Sequence, residues 1–222
     1  MVIANVLFDN NGNFIWVSIT ALAAVITIFI NTYIANKTSK ANFKANIVAK
    51  SRIEWIQEVR KYSADFIASC YDLAELLSIQ EYEQNEDLES EKEIARLMTE
   101  VTKNGNLLML YFGPDSNKTN EIIIVIIKGL VDTLTNKKVW ESQTLKDPTY
   151  DLNQLMALRD FLRIYFKAEW KRANGELKNS KVQDYLTQNK VFRNIRNIYI
   201  NDVEKREREA LKYYEFLAEE NK

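Results

Sequence analysis

The sequence predicts an all-α protein: a single N-terminal transmembrane helix followed by a cytoplasmic helical bundle of four to five helices. Three observations predict it. The 27 residues between Asp9 and Lys37 carry no charge and include the apolar run Phe14–Ile30. Beyond Lys50, apolar residues recur at alternating steps of three and four, the period of one helical face. Glycine and proline are scarce, at 5 and 2 in 222 residues, which suits long helices and disfavours a turn-rich β fold.

The uncharged run sets the expected location. At 1.5 Å per residue, Phe14 to Ile34 spans roughly 32 Å, close to the hydrocarbon thickness of a bilayer. A cleaved signal peptide would need a basic leader and a small-residue cleavage site. No Lys or Arg precedes Lys37, and TYIANKTS is a poor cleavage region, so the expectation is a retained anchor. Trp16 and Tyr33 sit near its two ends, where amphipathic rings favour the interface. Lys37, Lys40, Lys44, Lys50, Arg52, Arg60 and Lys61 follow it, against Glu54 and Glu58. That asymmetry predicts a single pass through the inner (plasma) membrane, N-terminus outside and the remainder cytoplasmic. Lys37, Lys40 and Lys44 share one helical face and are the candidate membrane-surface residues, with the lipid bilayer as partner. The favoured reading of the three is ordinary flanking charge that fixes topology, ahead of specific lipid recognition. The expected division is a short extracytoplasmic N-terminus (1–13), the transmembrane helix (14–36), a cytoplasmic bundle (37–176) and a C-terminal helical extension (177–222).

Composition removes whole classes of chemistry. The chain has no histidine and one cysteine, Cys70. Ser-His-Asp triads, Cys-His pairs, HExxH zinc sites and Cys₄ clusters on one chain are therefore excluded. No glycine-rich phosphate loop is present. The expectation is a protein that is not an enzyme, with no cofactor, no metal site and no catalytic residues. Cys70 lies on an apolar seam and reads as a small core residue.

The elements follow in order. Ile56, Val59, Ser63, Phe66, Cys70, Leu73 and Leu77 step 3-4-3-4-3-4, a heptad-like seam on a helix from about Lys40 to Ile79. It can continue directly from the span. Glu81–Glu93 holds seven acids and one lysine, and reads as a solvated connection leading into a helix start. Ile94, Leu97, Val101, Asn104, Leu108 and Tyr111 mark a second helix, stopped by Gly113-Pro114. Asp115 and Ser116 are candidate caps for a third, which carries six consecutive apolar residues after Glu121. Residues 136–150 form a polar connection. A fourth helix covers Tyr150–Ala173, with Leu155, Leu158, Leu162, Tyr165 and Phe166 inward and Asn174-Gly175 as its stop. A fifth, more polar helix covers Lys181–Glu219.

One electrostatic feature stands out. Arg159, Arg163, Lys167 and Lys171 recur every four residues on the fourth helix; Lys190, Arg193 and Arg196 recur every three on the fifth. From Arg159 to Arg196 there are ten basic residues and four acids, in a chain of net charge −1. Phe161, Tyr165, Phe166, Trp170, Phe192 and Tyr199 are interleaved. A cationic groove with aromatic faces suits single-stranded nucleic acid or RNA. The other reading is a charged outer face, balanced by Glu81–Glu93 or by solvent, with the aromatics in the core. A rival function is a membrane-tethered interaction or oligomerisation module without nucleic-acid binding, self-associating through a partly exposed Ile56–Leu77 seam as a homo-oligomer.

The segments SRIEWIQEVRKYSADFIA (Ser51–Ala68), LLMLYFGPDSNKTNE and FLRIYFKAEWKRANGE (Phe161–Glu176) resemble a broad group of membrane-anchored bacterial proteins. The size, single anchor and basic–aromatic distal region are similar to the lactococcal AbiP-like abortive-infection family. That resemblance implies phage resistance (antiviral defence) by a membrane-tethered cytoplasmic domain that binds single-stranded nucleic acid or RNA without sequence specificity. It carries no site residue over to this chain.

Overall fold

The computed structural model describes residues 16–83, 88–136, 138–140 and 150–220, and every described element is helical. The expected N-terminal tail (1–13), the first two residues of the 14–36 span, the middle of the acidic connection (84–87) and most of the polar connection (137 and 141–149) lie outside the described residues. The helices are α1 (Trp16–Glu83), α2 (Leu88–Met109), α3 (Thr119–Leu134), α4 (Tyr150–Ala173), α5 (Val182–Gln188) and α6 (Lys190–Glu220), with a 3-10 turn at Asn179–Lys181 before α5. The chain forms two compact units, one ending at Ser51 and one beginning at Arg52.

The first unit is the apolar part of α1. An 18-residue window in it has mean hydropathy 1.7 and no buried residue. Leu22, Val25, Ile26, Ile28, Phe29, Ile30, Tyr33 and Ile34 are all exposed, Phe29 at 71%. A helix that is apolar on every side yet buried on none is long and apolar enough to cross a membrane. Lys37, Lys40 and Lys44 follow on the same helix, exposed, as do Phe43, Ile47 and Val48.

The second unit is a bundle around α3. Ile122, Ile123, Ile126, Ile127, Leu130 and Leu134 are fully buried. Their run of β-branched residues is helical here because α2, α4 and α6 all pack against α3, so tertiary burial overrides the strand propensity of isoleucine. The α1 seam is fully inside: Ile56, Val59, Phe66, Cys70 and Leu73 have no exposure, and Ser63 and Leu77 have 5% and 4%. The expected exposed seam for self-association is thereby overturned, since the bundle's own helices cover it. Ser63, its one polar member, is satisfied by donating to the Val59 carbonyl at 2.7 Å.

Local signals explain the boundaries. α3 starts after Lys118, which holds a left-handed φ of 58°. This turn brings the Asp115 carboxylate onto the backbone N–H groups of Thr119 and Asn120, at 3.2 and 2.7 Å. Asp115 thus stabilises the helix start from outside it. α4 ends in a Schellman turn: Gly175 has φ 75°, and the Glu176 and Gly175 N–H groups bond the Lys171 and Arg172 carbonyls. The single fifth helix expected over Lys181–Glu219 is two. Asn189 adopts an extended conformation, ψ 121°, and its side chain accepts from the Phe192 N–H at 3.1 Å. Asparagine is a strong N-cap, so it ends α5 and starts α6.

Gly105 is the tightest crossing. A Cβ there would lie 2.7 Å from Val131 Cγ2 and 3.0 Å from a Phe66 ring carbon. Val131 is stiff about its first torsion and cannot swing clear cheaply. Gly105→Ala gains helix propensity of about 1 kcal/mol but incurs overpacking of about 1–3 kcal/mol. It should lower the thermal midpoint of the full chain in detergent, and Val131→Ala should restore it.

Candidate anion-binding cleft

The basic stripe lies on the outer side of α4, as a direct result of its inner side being full. Leu155, Leu158, Phe161, Leu162, Tyr165, Phe166 and Ala168 are buried, so residues four apart on the opposite arc have only solvent to face. Arg159, Arg163 and Lys167 are exposed there, and Lys171 is half-buried. Asp160 lies loosely between the first two, 3.7 Å from Arg159 Nε and 3.6 Å from Arg163 Nη2. Those distances exceed a hydrogen bond, and exposed pairs of this kind contribute little.

The turn into α5 folds back onto this face and makes a cleft of about 510 Å³, lined by Arg163, Ile164, Lys167, Tyr185, Gln188 and Asn189. Lys171 is not among the lining residues; its ammonium lies 5.8 Å from the centre of the Tyr185 ring and 3.3 Å from Glu176. The start of α6 at Asn189–Lys190 forms one wall, adding the positive end of a 31-residue helix. Two cations, one aromatic ring and two amides line the cleft, and Lys171, paired with Glu176, approaches the Tyr185 ring.

The remaining stripe residues divide. Lys190 is exposed at the first position of α6. Arg193 is committed to structure, donating from Nη1 to the carbonyls of Thr187 and Gln188 at 2.8 and 3.3 Å, which caps the end of α5. Arg196 is half-buried, and its buried Nε has no hydrogen-bond partner. Phe161, Tyr165, Phe166, Phe192 and Tyr199 are core residues; the Phe161 and Phe192 rings stack at 4.4 Å. They cannot stack on a ligand. Trp170 is 38% exposed. Tyr185 was not among the expected aromatics, because only the break at Asn189 folds α5 onto α4.

A second charged group supports the first. Glu169 is 6% exposed, on the inner side of α4. It accepts from Arg172 Nη1 at 3.1 and 3.3 Å, and Arg52 Nε of α1 lies 3.6 Å away. Arg172 also donates from Nε to Asn179 at 2.6 Å, tying α4 to the turn that leads to α5. Beside them Trp55, Phe112 and Tyr165 meet edge-on, with centroids 6.2–6.4 Å apart. Glu169 therefore fixes both α1 and the cleft's second wall relative to α4. Among the described residues no group of three or more Asp, Glu or Cys side chains could hold a metal ion. What the cleft can do chemically is hold an anion and stack a flat group beside it.

Burial, followed by the Glu169 and Asp115 carboxylates, pushes the Tyr165 phenol above its ordinary value, with Arg172 and Arg52 opposing. The folded state thus keeps this phenol protonated while the unfolded chain ionises it near pH 10. Stability from this source is complete below about pH 10 and falls as pH rises further, by up to about 1.4 kcal/mol per pH unit. Denaturant unfolding between pH 9 and 11 should show a decline that Tyr165→Phe flattens.

No protein family, no curated protein and no solved structure matches this chain, so the chemistry of the cleft has to be read from its own residues.

Proposed function

We propose that this chain is a membrane-tethered, non-enzymatic helical protein whose cleft binds single-stranded nucleic acid or RNA without sequence specificity. The observation that carries this is that Arg163 and Lys167 line one groove with Tyr185, whose ring the Lys171 ammonium approaches at 5.8 Å. Phosphates recognise the cations at any sequence, and every base offers a face to an aromatic ring. Neither contact reads base edges. An apolar helix able to cross a bilayer precedes the bundle, and the lysine-rich flank after it favours an N-out anchor in the plasma membrane with the bundle in the cytoplasm. In that setting the protein holds nucleic acid at the inner membrane surface. The resemblance to AbiP-like abortive-infection proteins is what suggests antiphage defence as the setting of such an activity.

The binding surface is narrower than the full basic stripe. Arg163 and Lys167 line the cleft, Lys171 and Lys190 flank it, and Arg159 extends its approach. Arg193 and Arg196 contribute field more than contact, since one caps α5 and the other is half-buried.

Filter binding of the detergent-solubilised full chain to a labelled oligothymidylate and to an RNA of mixed sequence tests this. Affinity should fall steeply with salt, with a log–log slope of about −0.7 per phosphate neutralised. Arg163→Glu with Lys167→Glu should flatten that slope by about 1.4 and weaken binding to both ligands alike. Tyr185→Ala should cost about 1–3 kcal/mol. Lys103→Glu, exposed on α2 away from the cleft, should change little. Salt-independent binding, or none, would end the proposal.

A further inference from the structure

The cleft uses two cations of the α4 stripe and leaves one aromatic side chain beside it unused. Of the six aromatics interleaved with the basic residues, five are core, and Trp170 alone is at the surface. Among the described residues its ring meets no other ring and no cation. The helical period fixes its place. Arg159, Arg163, Lys167 and Trp170 step 4-4-3 along α4, so they follow one outer ridge, and all four are exposed. Lys167 therefore has Trp170 as its neighbour on the ridge and Tyr185 as its neighbour in the cleft. Successive cations on the ridge rise about 6 Å along the helix axis. An extended single strand spaces its phosphates similarly. Asp160 does not close the row: it stands 3.7 and 3.6 Å from Arg159 and Arg163, beyond hydrogen-bond distance.

We infer that Trp170 is a second base-stacking residue and that the ligand is an unpaired strand laid lengthwise on this ridge. The inference rests on the nucleic-acid function proposed for the cleft. Arg159, Arg163 and Lys167 each take one phosphate, and Trp170 stacks the base at the end of the row. Three phosphates join four nucleotides, so the site covers about four nucleotides. This narrows the ligand class. A mononucleotide reaches one cation of the three. A duplex has its bases stacked on one another and offers Trp170 no open face.

Anionic lipid fits this ridge less well. An interfacial helix lays an unbroken apolar stripe among the headgroups, with its charges on the opposite face. Here the three cations occupy the line itself, between Met156 and Trp170, and leave no continuous apolar stretch to insert.

Tryptophan emission of the detergent-solubilised full chain, read beside filter binding, tests this with oligothymidylates of increasing length. Affinity should rise roughly tenfold from the dinucleotide to the tetranucleotide and little beyond it. The tetranucleotide should quench emission, and a blunt hairpin duplex should not. Trp170→Phe should bind about as well as the unaltered chain yet lose the quench, since Trp55 packs against the core and Trp140 is buried in it. Trp170→Ala should weaken binding about 5- to 100-fold. Binding that persists with flat emission and is indifferent to Trp170→Ala would overturn the inference and leave the proposed function standing. No binding at any length would overturn both. An emission change at Trp170 on adding phosphatidylglycerol to the micelles, with none on adding oligonucleotide, would assign the ridge to lipid and overturn the inference.

Discussion

An apolar helix that no other part of its own unit covers cannot rest in water, and the rest of this molecule is organised around that constraint. Eight large side chains from Leu22 to Ile34 are at least half exposed. Burying a side chain of that kind is favourable by about 1.5–3 kcal/mol, so leaving the set in water costs on the order of 10 kcal/mol. That equals the net stability of an entire domain. No rearrangement of a small bundle compensates for it. A bilayer would, because a helix satisfies its own backbone hydrogen bonds and this one offers apolar side chains all round.

The bundle solves the opposite problem, gathering apolar residues from all its long helices into one core. α3 is packed against α2, α4 and α6, with Lys128 and Asp132 left exposed, and α1, α2, α4 and α6 each give one face to the core. This leaves the charged faces outside, and on α4 the exposed charges from Arg159 to Lys167 are cationic. The cleft arises because α5, a helix of seven residues, is folded back on it. Two contacts hold the fold-back: Arg172 to Asn179, and Arg193 to the last carbonyls of α5. Both arginines belong to the basic stretch that reads as one continuous charge pattern, yet they act as braces, while Arg163 and Lys167 remain available. Glu169 is the pivot of this arrangement. It is a buried carboxylate between two guanidinium groups, and losing it would strand both cations at a partly buried site.

Much of this was legible in the residues themselves. The α1 seam, the limits of α4 and the stop at Asn174-Gly175 all follow from periodicity and cap chemistry. These are local signals. What escaped was non-local or ambiguous. Asn189 is tolerated inside a helix and favoured at its start, and the stretch around it is equally polar either way. Without that break Tyr185 has no reason to meet Lys171. Glu169 looks like any surface acid beside Arg172, three residues away; only Arg52, far earlier in the chain, shows that it faces inward. Phe161, Phe166 and Phe192 alternate with arginines in sequence, but the helical period places them on the far side, in the core.

The claim on which the others depend is that α1 resides in a bilayer. Alkaline carbonate extraction of membranes from cells expressing the full chain tests it most directly. The protein should remain wholly in the pellet, whereas Ile26→Lys with Phe29→Lys, each costing about 2.5–3.5 kcal/mol at the centre of a span, should release it. Release of the unaltered chain into the supernatant would contradict the account.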